Sequence, residues 1–185
     1  MDGIEKPPFA SPHWEDRMSR AFVKEQDGIA AEALPDIPLS EHPNYVTSQG
    51  LVQLRARLAA AQARRDALKI SDDAMAQLNE LAAIERELRW LGARVGGAIE
   101  VDLEKQPHDR VAFGATVTVD SIEGKRRWRI VGEDEGNVEH GLVSYVSPLA
   151  QALLSARVGD EVNWKRPAGD LLIEVVAIDY VDHVD

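Results

Sequence analysis

The sequence predicts an α+β chain, in which an N-terminal antiparallel α-helical coiled-coil hairpin is followed by a small antiparallel β domain with one short helix. Three observations predict it. Residues 47–98 contain no proline and repeat apolar residues at alternating steps of three and four, the seam of a coiled coil. Residues 107–182 change to short runs rich in β-branched residues, separated by Gly124, Gly136, Gly159 and Gly169, which is the pattern of strands and turns. Residues 1–46 keep neither period and are broken by Pro7, Pro8, Pro12, Pro35, Pro38 and Pro43.

Each element follows from its own residues. The first helix carries Leu51, Leu54, Leu58, Ala61 and Leu68 on its seam, with Arg65 between the last two. Thr47 is placed to cap it, and a helix of about 22 residues is roughly 33 Å long. The second series runs Leu78, Leu81, Ile84, Leu88, Leu91, Val95 and Ala98, and Gly96-Gly97 ends it. Ser71 is its cap, and Asp72 and Asp73 fall in a first turn, where the helix dipole favours negative charge. Leu54, Leu58, Leu81, Leu88 and Leu91 are expected to be buried between the two helices. In the β domain, Ala115–Val119, the run around Trp128, Ile130 and Val131, and the run Ile173–Tyr180 read as strands. Ser147 and Pro148 open a short helix expected to reach Ala156. The arm, 1–46, is expected to be extended or disordered, because it offers too little apolar surface to offset its ordering entropy. Met18 within it is an alternative start.

Composition narrows the function classes. Lys and Arg number 21 against 32 Asp and Glu, a net charge of -11. That balance disfavours tight non-specific duplex binding, which needs clustered cations. Cysteine is absent, which excludes disulfides and thiolate metal sites. No run of 18 apolar residues indicates a membrane span, and Met1–Arg17 lacks the hydrophobic region of a secretory signal. A cytoplasmic protein is expected. His13, His42, His108, His140 and His183 show no metal-like pairing. The acids of Gly132-Glu133-Asp134-Glu135-Gly136 lack calcium-loop spacing and read as a solvated strand end and turn. With no phosphate loop and no nucleophile elbow, no enzyme activity of its own is expected.

Several motifs carry a family resemblance. Val111-Ala112-Phe113-Gly114-Ala115-Thr116-Val117-Thr118-Val119 resembles the FGATV strand that opens the C-terminal domain of the GreA/GreB family of bacterial transcription elongation factors. Trp128-Arg129-Ile130-Val131-Gly132-Glu133-Asp134-Glu135 resembles the family's RIVG-x-DE. The segment Val143–Leu154 is similar to its IS-x-x-SP-x-A-x-ALL. Val158-Gly159-Asp160-Glu161-Val162 and Arg166-Pro167-Ala168-Gly169 match the closing elements. Upstream, Val46-Thr47-Ser48-Gln49-Gly50 resembles the VT-x-x-G that leads into the family's coiled coil, and Glu85–Asp102 aligns with that coil's second half.

The resemblance implies an FKBP-like β domain that grips bacterial RNA polymerase near its secondary channel and a coiled coil that enters the channel. Ser147, Pro148 and Leu149 are the partner contacts it implies, with Val146 where some members have Asp. It also implies tip acids, here Asp72 and Asp73, that help hold a Mg2+ shared with the polymerase while backtracked RNA is cleaved. The tip departs from the family's D-x-x-E-N-A pattern, because these two acids are adjacent. The hairpin is also shorter, by roughly one heptad per helix, or about 10 Å of reach. Arg55, Arg57, Arg64, Arg65 and Lys69 stand against one acid, Asp66, along the first helix. Two readings of this face follow. In one, Arg55, Arg64, Arg65 and Lys69 face nascent RNA. In the other, the face is solvated and paired with Glu80, Glu85 and Glu87. For the whole chain, the alternative to a cleavage-stimulating factor is a short-coil regulator, resembling the regulator of nucleoside diphosphate kinase, that binds polymerase without promoting cleavage. A third reading, an FKBP-like prolyl isomerase, is disfavoured by an aromatic content of only 5%.

Overall fold

The computed structural model describes residues 34–68 and 74–180, and in α2 side chains from Gln77 onward. The α+β class expected from the sequence is what it shows. In chain order the elements are β1 (Tyr45–Val46), α1 (Ser48–Leu68), α2 (Ala74–Gly96), β2 (Ile99–Glu100), β3 (Thr116–Asp120), β4 (Arg126–Val131), β5 (Leu142–Ser144), α3 (Pro148–Leu153), β6 (Glu161–Trp164) and β7 (Leu171–Asp179). No described helix is long and apolar enough to cross a membrane.

The hairpin forms because one stripe of each helix is apolar. Leu51, Leu54 and Ala61 of α1 meet Leu91 of α2, with Val46 of β1 at the base. Ile84 is also buried. Of the five leucines expected inside, Leu54 and Leu91 are fully buried, while Leu58, Leu81 and Leu88 are half-buried. A two-helix seam has no third element to cover its flanks, so water reaches these three. Across the seam Arg64 pairs with Glu87, and the Arg57 guanidinium lies 5.5 Å from the Trp90 ring centroid.

The β domain is a five-stranded sheet in the order β5-β4-β3-β7-β6. β3 pairs antiparallel with β4 (Val117↔Trp128) and with β7 (Val117↔Ile178), with a register shift between Thr118 and Val119. One pairing differs from the expected all-antiparallel sheet: β5 runs parallel to β4, Ile130 opposite Val143. β5 is too short, at three residues, to show a sequence period. β3, β4 and β7 place Val117, Val119, Trp128, Ile130, Ile173 and Val175 in one core, and Leu149, Ala150 and Leu153 of α3 pack on it. α3 stops at Leu153, short of the expected Ala156, because Ser155 takes a left-handed φ of 71°.

The end of the proline-rich arm is ordered differently from expectation. Tyr45–Val46 pairs in parallel with Ile99–Glu100, Tyr45 opposite Ile99. Residues 34–44 hold no helix or strand but are bound to their surroundings. Arg89 of α2 donates to Asp36 at 2.6 Å and to the Leu34 carbonyl at 3.1 Å. Residues 1–33, including Met18 and His13, lie outside the described residues, as does His183.

Candidate functional site

The hairpin meets the β domain through the acidic turn that follows β4. This turn, Glu133–Glu135, is a short 3-10 segment, and its three acids are half-buried rather than the solvated turn the sequence suggests. Glu135 accepts from the Thr47 N–H at 2.9 Å, from the Thr47 hydroxyl, and from the Gly132 N–H at 3.2 Å. The Thr47 hydroxyl in turn accepts from the Gly50 N–H at 3.0 Å. A Cβ on Gly50 would collide with the Glu135 carboxyl group, and one on Gly132 would collide with the Tyr45 carbonyl. At Gly132 the obstacle is backbone, so the close approach requires glycine; at Gly50 a side chain would have to push the Glu135 carboxyl group aside.

A second contact lies one helix away. Arg94 of α2 has a side chain only 5% exposed, and donates to Asp134 at 2.6 Å with Glu133 at 3.7 Å. Burying a guanidinium is costly unless it is paired and hydrogen-bonded, and Asp134 supplies that pairing. Ser40 donates to Glu133 at 2.9 Å, and the Asn44 side-chain amide donates to the Arg94 carbonyl at 2.7 Å. The rings of Tyr45, Phe113 and Tyr145 close one side, with centroids 5.5 to 6.0 Å apart, and the Tyr145 hydroxyl donates to the Pro43 carbonyl at 2.6 Å. Burial, the largest cause, holds the Tyr145 phenol above its ordinary value. Beside the joint is a cleft of about 290 Å³ whose lining includes Thr47, Gln49, Gln53, Glu135 and His140. The positive end of α1, which would attract an anion to this cleft, already holds the Glu135 carboxylate.

Among the residues singled out from the sequence, Ser147 caps α3 by accepting from the Ala150 N–H at 3.2 Å, and Pro148 is exposed at the helix start. Leu149 corrects an expectation. It is 4% exposed and belongs to the β-domain core, because its place in the first turn of α3 points it at the sheet. Ser147 and Pro148 therefore remain as the surface of that segment. On α1, Arg64 pairs with Glu87 and Arg65 with Asp66, while Arg55 is exposed. The cross-hairpin pair is the one anticipated by the solvated-face reading. Lys69, Asp72 and Asp73 lie outside the described residues.

A further surface lies at the β3–β4 turn. Ile122 is 95% exposed there. Arg166 chelates Glu123 at 2.6 and 3.1 Å and lies 5.2 Å from the Trp164 ring centroid. The Arg166 hydrogen bonds hold the Glu123 carboxyl below its ordinary value.

Sequence reasoning missed Arg94 and Glu135. A cation within the apolar series that ends α2, and a helix start reading Thr-x-x-Gly where Thr-x-x-Glu is usual, were the available signals.

Several known proteins are similar to this chain in sequence. A family model described as "Transcription elongation factor, GreA/GreB, C-term" matches residues 106–180. The transcription elongation factor GreA of Nautilia profundicola is 36% identical over 147 residues, covering 78% of this chain and 90% of that protein. GreA of Nitratiruptor sp. is 41% identical over 102 residues, 54% of this chain and 63% of that protein. Among solved structures, GreA factor homolog 1 of Thermus thermophilus is 26% identical over 75% of this chain and 99% of its own, with a TM-score of 0.36. A hairpin seated on a five-stranded domain, together with a relative matched over nine-tenths of its length, places the chain in the GreA/GreB family of transcription elongation factors.

Proposed function

We propose that this chain binds bacterial RNA polymerase through its β domain, directs the helical hairpin into the secondary channel, and so regulates elongation without catalysing a reaction of its own. The observation that carries the reading is the joint. Glu135 and Arg94 tie a projecting hairpin to the domain at two points, so a grip by one part fixes the direction of the other. Ser147 and Pro148 are the proposed contacts on the β domain. α1 spans 21 residues, or about 32 Å, and is the reach available to the tip.

Stimulated cleavage of backtracked RNA is the finer question. It calls on Asp72 and Asp73, with a magnesium ion shared with the polymerase. Among the described residues no group of three His, Cys, Asp or Glu is placed to hold a metal. The adjacent acids and short hairpin favour the regulator that binds without promoting cleavage. Contact of Arg55, Arg64 and Arg65 with nascent RNA competes with the ion pairs of the last two.

The test uses the full chain with core polymerase in stalled elongation complexes. Binding and an altered elongation rate are expected, with little transcript shortening. Absence of binding would overturn the reading. Robust shortening that Asp72→Asn with Asp73→Asn abolishes would replace the regulator with a cleavage factor.

A further inference from the structure

The start of α1 is a capping box divided between two parts of the chain. In the ordinary box, a Ser or Thr hydroxyl accepts from the N–H three residues on, and a Glu at that third position reaches back to the cap residue's N–H. Thr47 does the first task, since its hydroxyl accepts from the Gly50 N–H. The third position is Gly50, which has no side chain to reach back. The carboxylate comes instead from Glu135, eighty-eight residues later, and accepts from the Thr47 N–H at 2.9 Å. It fills the space that a Gly50 side chain would take. The same carboxylate accepts from the Gly132 N–H at 3.2 Å, so one side chain anchors the first turn of α1 and the turn after β4.

Building on the polymerase-binding reading above, we propose that Glu135 is a positioning residue that sets the direction of the hairpin on the β domain. Hydrogen bonds to a carboxylate are strong and directional, and α1 has its full complement of caps only when the β domain is seated in this arrangement. Arg94 on Asp134 supplies a second fixed point on the other helix, which removes rotation about the first. Leverage makes the joint matter. With a hairpin about 32 Å long, a tilt of roughly 10° at the base displaces the tip by about 6 Å. The β domain can therefore hold its partner normally while a loosened hairpin misses its target.

The absence of cysteine permits clean labelling. Ala60→Cys on the exposed side of α1 and Ile122→Cys at the β3–β4 turn take a spin-label pair for pulsed distance measurements. The parent is expected to give one narrow distribution. Glu135→Ala should broaden it, with Glu135→Gln intermediate because its amide keeps one acceptor oxygen. Thr47→Val should reproduce the broadening and Thr47→Ser should not. Hydrogen exchange in β3 and β7 should stay unchanged, separating lost aim from lost folding. In function, Glu135→Ala should keep polymerase affinity within about threefold while its effect on elongation falls at least about tenfold. An unbroadened distribution in both Glu135→Ala and Thr47→Val overturns the proposal, as does broadening that leaves the elongation effect intact. If the parent chain fails to bind polymerase, the partner reading falls, and the distance distributions still decide whether Glu135 sets the hairpin's direction.

Discussion

Arg94 shows how much one side chain carries in this joint. Its guanidinium is nearly enclosed and its partner Asp134 has a side chain only 11% exposed. Removing one member of such a pair leaves the other charge buried. Arg94→Ala should therefore cost about 3 kcal/mol, read as a lower denaturation midpoint with an unchanged slope. Breaking an exposed pair such as Lys105–Asp102 should leave the midpoint almost unchanged, because solvent screens it. Tyr180 offers a second test at this scale. Its hydroxyl donates to the Arg110 carbonyl at 2.7 Å and accepts from the Ala112 N–H at 2.8 Å. Burial, opposed by the Ala112 hydrogen bond, holds the phenol above its ordinary value near 10. A group whose folded value is raised contributes stability that is complete below the unfolded value and lost as pH rises through the folded one. Thermal melts should thus show a decline above pH 10, and Tyr180→Phe should lessen it, Tyr145 supplying the rest, while costing about 1 kcal/mol at neutral pH.

At the scale of elements, the hairpin seam grades from dry to wet. Leu91 is fully enclosed and Leu81 half so. Leu91→Ala should destabilise by about 3 kcal/mol and Leu81→Ala by about 1 kcal/mol, measured by chemical denaturation. Equal losses would mean that the seam is uniformly buried. The helices were legible because apolar steps of three and four sustained over about twenty residues are a strong local signal, as were the alternation in β3 and the apolar runs of β4 and β7. β5 and β6 were not, since three- and four-residue strands exist by virtue of their neighbours. The joint was half legible. Val46-Thr47-Ser48-Gln49-Gly50 and Gly132-Glu133-Asp134-Glu135 could be read as motifs, but not as two halves of one contact, because nothing local says that a carboxylate will cap a helix so far upstream. Leu149 misled for a related reason: a motif residue can be kept for packing, and the helix phase that buries it depends on where the sheet lies. Gly50→Ala tests the joint from the helix side. It must displace the Glu135 carboxylate, so it should lower stability even though alanine favours helix more than glycine does; a gain in stability would contradict the contact.

At the largest scale, the described hairpin and β domain meet at the acidic Glu133–Glu135 turn. The β domain presents Ser147 and Pro148 on one segment and Ile122 at the β3–β4 turn, and the hairpin is tied to it at the Glu133–Glu135 turn. Pro148→Ala, which keeps the Ser147 cap and removes the fixed φ, should weaken polymerase binding with little change in melting temperature; unchanged binding would remove that segment as the contact. Site-specific crosslinking from the hairpin reports directly where it lies on the polymerase. Ala63→Cys, exposed on α1 and the sole thiol in the chain, can carry a photoreactive group into stalled elongation complexes. Crosslinks are expected to polymerase segments that line the secondary channel, lost when Ser147 and Pro148 are both replaced. Crosslinks confined to the polymerase exterior, with binding intact, would show that the hairpin does not enter the channel.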